Sequence, residues 1–273
     1  MKYSIITVNF NNKEGLRKTI ESVIHQTYRD FEYIVIDGGS TDGSTDILKE
    51  FDSHIDYWVS EPDDGIYQGM NKGIKKATGD YLNFMNSGDC FYDSKRLELV
   101  DNSHFTTDII VGSDYHYDPI KGQGYTTILP PRMNMYALYK GSFPHQSAFF
   151  RRELFNDCLY DESLRMVSDW KFFIQKIIIE NCSVSFFRDK VCQRDQKDGI
   201  CSIYPDILKK ETETILEELL PEKIRGDYDI FAKIDNSTFY KLQSICEHPK
   251  LLRHLTFFVK IIYKLYNCFR HHQ

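Results

Sequence analysis

The sequence lacks paired cysteine motifs and long apolar runs. Its seven cysteines are odd in number, and no CxxC pair occurs among them. Neither a disulfide framework nor a structural zinc site is therefore predicted, and a reduced, cytosolic compartment is expected. No stretch reaches the roughly 18 uninterrupted apolar residues that a membrane-spanning helix needs. The apolar run at the start is too short for a signal peptide.

Excess charge and the common phosphate-binding loops are also absent. The net charge is −6, and no block of one sign dominates the first two hundred residues, so nucleic acid is not an expected partner. Neither GxGxxG after the first apolar run nor a Walker A sequence occurs, so any nucleotide must be held in another way. With 273 residues, 41% of them hydrophobic, the chain can form one large domain with an extension.

The first ninety residues alternate between strand and helix patterns. Short apolar runs rich in β-branched residues predict buried strands at residues 3–8, 32–37, 56–59 and 81–85. Apolar residues at helical spacing predict helices at residues 13–26, 46–51 and 66–77. This alternation implies right-handed crossovers and a mostly parallel central sheet flanked by helices, which is the α/β class.

The later part of the chain is less regular. We predict strands at residues 109–112, 148–150 and 184–187. We predict helices at residues 168–179 and 206–220, the second of which Pro221 stops. The predicted organisation is one domain, residues 1–220, followed by a helical C-terminal extension, residues 221–273.

Polar clusters follow each of the four N-terminal strands. They lie at residues 7–12, 37–42, 61–64 and 86–89. In parallel sheets, ligands bind beyond the carboxyl ends of the strands. The repeated placement of these clusters therefore predicts one shared site at that edge of the sheet.

The chain contains the segments IITVNFNN, VIDGGSTDGSTDIL, SEPDDGIYQGMNKGIKKATGDYLNFMNSGD and, later, SDW. Together they resemble family 2 glycosyltransferases with the GT-A fold, over about residues 1–215. The resemblance implies an inverting, metal-dependent transferase of the hexosyl or N-acetylhexosaminyl type. Its expected donor is a nucleotide-sugar, with UDP-sugar favoured. Its expected acceptor is an oligosaccharide or a lipid-linked saccharide in polysaccharide biosynthesis.

Three residues are predicted to hold the nucleotide. A carboxylate at a strand end can accept the N3–H of uracil, a donor that cytosine lacks, and the resemblance places a pyrimidine-binding acid at Asp37. The alternative for Asp37 is a turn residue that caps the following glycines. Thr7 and Asn9 are expected to line the same pocket, or else to form a polar loop before a helix.

A divalent cation is expected to bind at Asp89. The leaving diphosphate develops negative charge, which Mg²⁺ or Mn²⁺ would stabilise through oxygen ligands. The family has a DxD-type motif here, whereas this chain has Asn86, Ser87 and Gly88 before Asp89. We therefore expect weaker metal binding, with Asn86 contacting the ribose or the donor sugar. The alternative for Asp89 is a turn at the strand end.

Further donor contacts are predicted from the acids before Gly65 and from two later positions. The resemblance implies a donor contact for one of these acids, and of Asp63 and Asp64 we favour Asp64; capping of the next helix is the alternative. Lys72 is expected to reach a phosphate or to be solvated. Gly199 belongs to a segment similar to the family's glycine loop over the diphosphate, or to an ordinary turn.

Asp169 is the predicted general base. Inverting transfer needs a carboxylate to take the acceptor proton as the new bond forms, and aspartates are ordinarily ionised at neutral pH. The resemblance places the base in Ser168-Asp169, where Asp169 can also cap the helix that follows. Trp170 is a candidate acceptor platform. His145 is either a structural residue or a group facing the acceptor or a phosphate.

The C-terminal tail, residues 250–273, is predicted to form a basic amphipathic helix. Apolar residues repeat at helical spacing at Leu251, Leu255, Phe258, Ile262, Leu265 and Phe269. The opposite side carries Arg253, Lys260 and Lys264. Such a helix can lie on an anionic membrane surface, which predicts a peripheral position on the inner face of the cytoplasmic membrane. Docking on the protein's own core is the alternative.

Two other functions remain open from sequence. A nucleotidyltransferase can share a similar sheet, but it would need a glycine-rich phosphate loop with a basic residue after the first strand. A non-catalytic sugar-nucleotide-binding protein is suggested because the motif that ends at Asp89 has fewer acids than the family's motif. The presence of both Asp89 and Asp169 argues against it.

Overall fold

The structure is a computed structural model. It describes residues 2–118, 120–195, 204–235, 253–254 and 256–263. The chain forms two compact units, Met1–Ile215 and Leu216–Gln273. The predicted boundary at residue 220 stays a prediction.

The first unit is built on a nine-stranded sheet. Its strands are β1 (Tyr3–Asn9), β2 (Phe31–Asp37), β3 (Tyr57–Ser60), β4 (Tyr81–Phe84), β5 (Cys90–Phe91), β6 (Ile109–Asp118), β7 (Gln123–Thr126), β8 (Ala148–Arg151) and β9 (Val184–Asp195). The described α-helices up to residue 235 are α1 (Lys13–Ile24), α2 (Ser44–Glu50), α3 (Ile66–Lys76), α4 (Arg96–Asn102), α5 (Met135–Lys140), α6 (Ser168–Phe173), α7 (Pro205–Leu219) and α8 (Glu222–Asp235). Residues 256–263 are also helical.

The N-terminal half of the sheet is parallel, in the order β3-β2-β1-β4. Successive residues of β1 face opposite sides, so each face receives its own helix. Ile5 packs with Leu16 and Ile20 of α1 in the main core. On the other face, a Cβ at Gly73 of α3 would lie 2.5 Å from Cγ2 of Ile6, so the helix backbone approaches the strand closely. This packing brings the start of α3 beside the carboxyl ends of β1 and β2.

The C-terminal half of the sheet is mixed. β8 lies antiparallel between β4 and β6, and β6 runs parallel to β9. β7 pairs with β6 and β5 with β9, both antiparallel. The strands predicted at 109–112 and 184–187 extend much further, because backbone pairing continues past a register shift after Gly112, where the sequence turns polar.

The predicted α/β class with a central sheet flanked by helices is confirmed. Sequence patterns missed β5, β7, α4 and α5, which are all short. The helix predicted at 168–179 divides into α6 and a π-helical segment, Ile174–Ile179. No helix within the described residues combines the length and apolarity needed to span a bilayer.

Candidate active site

Asp37 ends β2 and organises the loop that follows it. Its carboxylate is fully buried and accepts hydrogen bonds from Asn9 Nδ2 (2.7 Å), the Ser40 backbone N–H (3.0 Å), the Ser40 hydroxyl (2.6 Å) and the Ser60 hydroxyl (2.6 Å). These four donors tie the ends of β1, β2 and β3 together. A contact from Asp37 to a base would require one of these bonds to be given up. The structure therefore favours the turn-organising alternative for this residue.

Thr7 lies inside the sheet and does not line an open pocket. Its side chain is buried, donates to the Met85 carbonyl oxygen at 2.7 Å, and lies 3.0 Å from the Tyr33 hydroxyl. Alternation along β1 points this side chain into the core, so it is not available to a nucleotide, whereas a contact through the Thr7 backbone stays a prediction. Asn9 is also buried, and its Oδ1 has no hydrogen-bond partner among the described residues.

The loop after β4 is held in place by α1. The Thr19 hydroxyl accepts from the Gly88 backbone N–H at 3.0 Å and donates to the Asp89 carbonyl oxygen at 2.6 Å. Gly88 has a φ of 104°, a left-handed conformation that favours glycine. The Asp89 side chain is half-buried, and the loss of solvent raises its pKa. A hydrogen bond from Gln146 opposes that rise.

Oxygen ligands for a cation are present at this loop, but they are few. The Asp89 carboxylate is accompanied by Oδ1 of Asn86, which is buried and has no described hydrogen-bond partner. Both are hard oxygen donors of the kind that Mg²⁺ and Mn²⁺ accept. Among the described residues, no three histidine, cysteine, aspartate or glutamate side chains are grouped to hold a metal. These two oxygen atoms alone do not make a metal site, and a cation here would take its other ligands from a phosphate group and water.

Asp169, the predicted base, sits in a hydrogen-bond chain. Its Oδ1 accepts from the Tyr67 hydroxyl at 2.8 Å, and its Oδ2 lies 2.9 Å from His145 Nδ1. His145 Nε2 lies 3.1 Å from Asn86 Nδ2. The chain thus runs from α3 through Asp169 and His145 to the loop that carries Asp89. Asp169 is 8% exposed, and each of its oxygens has a second lone pair for a further donor.

The segment before α6 is fixed by α3, which sets the position of Asp169. Asn71 donates through Nδ2 to the Tyr160 carbonyl oxygen at 2.9 Å and accepts the Tyr160 backbone N–H at 3.0 Å. Lys171 of α6 pairs with Asp161 at 3.0 Å. The same helix that packs on β1 therefore holds both Tyr67 and the approach to Asp169.

Comparison with known proteins decides the family. The family described as Glycosyl transferase family 2 matches residues 4–165. A glycosyltransferase of Mycobacterium tuberculosis, itself described as uncharacterized, is 33% identical over 205 residues, or 70% of this chain and 74% of that protein. The chain belongs to glycosyl transferase family 2.

Solved structures support the GT-A fold of this transferase. S. aureus TarS 1–349 in complex with UDP-GlcNAc matches with a TM-score of 0.62 at 17% identity, over 84% of this chain and 70% of that one. In a longer TarS chain, 42% of the length is covered. The mannosyltransferase PcManGT from Pyrobaculum calidifontis, in complex with GDP-Man and Mn²⁺, matches with a TM-score of 0.54 at 14% identity, over 88% and 82% of the two chains.

Beside Asp89, the transferase has a buried ionic cluster that sequence reasoning missed. Asp114 of β6 is fully buried, accepts from the Ser147 hydroxyl and lies 3.4 Å from Arg194 Nε. Burial raises the pKa of Asp114 to about 6, against the lowering effect of Arg194. The negative charge of Asp89 adds to this rise. Asp89 lies near the cluster because the next residue, Cys90, pairs with Gln193 of β9, and Asp114 pairs with the adjacent Cys192. An acid placed just after the apolar run of β6 was the available signal.

Phe10 is a second residue that sequence reasoning missed. It directly follows β1 and is 64% exposed, beside Asn9 at the carboxyl edge of the sheet. An exposed aromatic ring at a ligand-binding edge offers a flat face for stacking. The signal was the aromatic residue inside the otherwise polar segment after the first strand.

The remaining predicted site residues differ in their exposure and in their contacts. Asp64 is exposed at the start of α3. The Lys72 ammonium is 2.9 Å from Glu61 Oε1, so it is already paired. Trp170 is 4% exposed and donates to the Leu138 carbonyl oxygen at 2.8 Å. The acceptor-platform role of Trp170 is therefore corrected, because its ring is core. Gly199 lies outside the described residues.

Proposed function

We propose that this family 2 transferase moves a sugar from a UDP-sugar to an acceptor hydroxyl, with inversion and with Asp169 as general base. The observation that carries this proposal is the hydrogen-bond chain from Tyr67 through Asp169 and His145 to Asn86. It holds a carboxylate with free lone pairs at the loop that carries Asp89. This arrangement supports a base next to a diphosphate site at one edge of the sheet.

The proposed reaction is a single displacement. The acceptor oxygen attacks the anomeric carbon while its proton passes to Asp169, and the bond from that carbon to the diphosphate oxygen breaks. Burial and the charge of Asp169 raise the pKa of Tyr67 well above its ordinary value, so its hydroxyl remains a donor that orients the carboxylate. Tyr67 and His145 therefore fix the angle from which Asp169 meets the acceptor.

Asp89, with the Asn86 amide oxygen, would hold a Mg²⁺ or Mn²⁺ ion. A bound cation supplies positive charge that stabilises the leaving diphosphate. The side chain of Arg194 is partly exposed, and its charge acts on both Asp89 and Asp114. It adds fixed positive charge to this part of the site, which suits an anionic leaving group.

The choice of a UDP-sugar is supported by the shape of the edge and by the related fold. Phe10 offers its exposed face to a planar base beside the end of β1. TarS, whose fold this chain shares, has been solved with UDP-GlcNAc, which makes an N-acetylhexosamine the first sugar to test. The acceptor is proposed to be a saccharide or a lipid-linked saccharide on the inner face of the cytoplasmic membrane.

The membrane part of this proposal comes from the described end of the chain. Residues 256–263 are helical and expose large apolar side chains at Phe257, Phe258, Val259, Ile261, Ile262 and Tyr263. Lys260 adds positive charge among them. Five residues of the predicted tail pattern lie outside the described residues, namely Leu251, Leu255, Lys264, Leu265 and Phe269.

The catalytic assignment is tested with Asp169→Asn. We expect kcat to fall by about 10²- to 10⁴-fold, the usual contribution of a general base, while UDP affinity stays within about two-fold. Release of UDP from a panel of UDP-sugars is measured, with UDP binding by calorimetry. The control is Asp157→Asn, an exposed acid in the same unit. Full turnover by Asp169→Asn would remove the residue from the mechanism, and UDP binding without turnover by the unaltered protein would favour a non-catalytic binder.

A further inference from the structure

The carboxylate of Asp63 lies in a notch made by two glycines. A Cβ added to Gly38 would lie 2.8 Å from Asp63 Oδ2, and one added to Gly69 would lie 3.3 Å from the same oxygen. Neither glycine has a left-handed φ, so the backbone conformation does not require glycine at these positions. At Gly38 an added methyl group would meet the Asp63 carboxylate first, whereas at Gly69 it would meet Val8 Cγ1, at 2.7 Å, before Asp63. The fold thus places this carboxylate against the loop that follows β2.

One carboxylate oxygen of Asp63 accepts no hydrogen bond from the described residues. Oδ1 accepts the Gly65 backbone N–H at 3.2 Å, and no described residue donates a hydrogen bond to Oδ2. The side chain is half-buried, and burial raises its pKa, with the charges of Asp37 and Asp64 adding to the rise. Asp37, which lies nearby, has four donors and needs no more. Of these two acids, Asp63 is therefore the one with an acceptor to offer a ligand.

The position of this notch matches the far end of a nucleotide. The sheet order β3-β2-β1-β4 places Gly38, after β2, two strands from the loop that carries Asp89. Neighbouring strands are about 4.8 Å apart, so the two positions are separated by roughly 10 Å across the edge. Phe10 follows β1, the strand between them. A nucleotide whose diphosphate lies at Asp89 would extend over β1 and bring its base to Asp63.

We propose that Asp63, rather than Asp37, is the residue that selects the base. With a UDP-sugar as the donor, on which this inference rests, Asp63 Oδ2 accepts the N3–H of uracil. Cytosine has a lone pair at N3, which would face the carboxylate without a hydrogen bond, so it is rejected. Gly38 and Gly69 contribute by leaving room for the carboxylate.

The test measures binding of UDP, CDP and N3-methyl-UDP by calorimetry. The unaltered protein is expected to bind UDP at least about ten-fold more tightly than either analogue, because a hydrogen bond to a charged acceptor is lost in both. Asp63→Ala is expected to weaken UDP to the level of the analogues and to abolish both preferences. Asp46→Ala, which removes an exposed acid on α2, serves as the control and should keep them.

A second variant, Gly38→Ala, changes one of the two glycines that form the notch. Gly38→Ala keeps Asp63 but places a methyl group 2.8 Å from Oδ2, so the carboxylate must move. We expect the preference for UDP over N3-methyl-UDP to fall as in Asp63→Ala, with an unchanged circular dichroism spectrum. If this variant fails to fold, Asp63→Ala and the methylated probe still decide the matter.

The outcomes separate this inference from the proposed donor. If UDP binds and N3 methylation has no effect, the role of Asp63 is overturned while the UDP-sugar donor stands. If 2′-deoxy-UDP binds poorly and Asp63→Ala weakens UDP but not 2′-deoxy-UDP, Asp63 contacts the ribose and the inference is wrong. If the unaltered protein binds another nucleoside diphosphate but not UDP, the proposed donor fails first.

Discussion

At the scale of single residues, the orientation of Asp169 depends on two neighbours from distant parts of the chain. Tyr67 comes from α3 and His145 from the turn before β8, and each contacts one carboxylate oxygen. Neither neighbour is an obvious base itself, since Tyr67 holds its proton firmly and His145 is shared with Asn86. We interpret both as positioning residues for Asp169.

Tyr67→Phe tests this interpretation. Removing a hydrogen bond to a charged group is expected to lower kcat about 10- to 100-fold, with little change in KM for the donor. The readout is the split between kcat and KM in a UDP-release assay. Tyr160→Phe is a matched control, because the buried Tyr160 hydroxyl has no described hydrogen-bond partner and its removal should cost nothing. Equal effects of the two variants would contradict the positioning role.

Asp114 predicts a pH dependence of stability. Its folded pKa of about 6 is above its ordinary value of 3.8, so protonation favours the folded state, and this contribution is lost as pH rises through 6. Lowering the pH from 7 to 5 should therefore add on the order of 1 kcal/mol from this group to the unfolding free energy. Urea unfolding at both pH values should show a smaller gain in Asp114→Asn. The same pH difference in both proteins would refute the assignment.

At the scale of secondary-structure elements, α3 connects the proposed nucleotide side of the site with the proposed base, Asp169. Gly69 and Gly73 pack its backbone against Val8 and Ile6 of β1. From that position the helix presents Tyr67 to Asp169, and its start lies beside Asp63. The close approach of α3 to the sheet thus positions residues in both halves of the proposed site.

Gly73→Ala tests how much the close packing of α3 against β1 contributes to the stability of the protein. The new methyl group would lie 2.5 Å from Ile6 Cγ2, and such overpacking costs about 1–3 kcal/mol. Gly226→Ala in α8 is the matched control, since nothing lies within 4 Å of its added Cβ, and helix propensity should stabilise it by up to about 1 kcal/mol. Thermal and urea unfolding of both variants provides the measurement. A stabilised Gly73→Ala protein would show that the helix has room to move.

At the scale of the whole molecule, the C-terminal segment exposes a run of large apolar side chains. The described helix 256–263 exposes three aromatic side chains at Phe257, Phe258 and Tyr263. Exposed apolar side chains mixed with basic residues are typical of helices that lie in a membrane interface. The family and fold do not decide this property, so it requires its own experiment.

Deletion of residues 250–273 is expected to reduce co-sedimentation with anionic liposomes several-fold. Liposomes of neutral lipid should bind the full chain more weakly, because the basic residues act through surface charge. Phe258→Asp is a second variant that retains the chain length and should also reduce binding. Soluble UDP-sugar hydrolysis serves as the check that the catalytic unit is intact. Unchanged sedimentation of the truncated protein rejects the membrane proposal.

Much of the fold and the approximate place of the site could be predicted from local sequence. Buried parallel strands are short continuous apolar runs, so β1, β2 and β4 are evident along the chain. Short elements such as β5 and α5 carry too few residues for a period to be seen. The extensions of β6 and β9 were missed because they are held by backbone pairing while their side chains turn polar.

The sequence by itself determined the α/β class, the family and the edge of the sheet where polar residues gather, because these depend on local patterns and short motifs. Only the tertiary structure decided which of those polar side chains are free. The carboxylate of Asp37 already accepts hydrogen bonds from neighbouring strand ends and loops. Asp63 lies beside Gly38 and Gly69, and its Oδ2 accepts no hydrogen bond from a described residue. Hydrogen-bond partners come from residues remote in sequence, such as Tyr67 and Asp169, and local patterns do not contain that information.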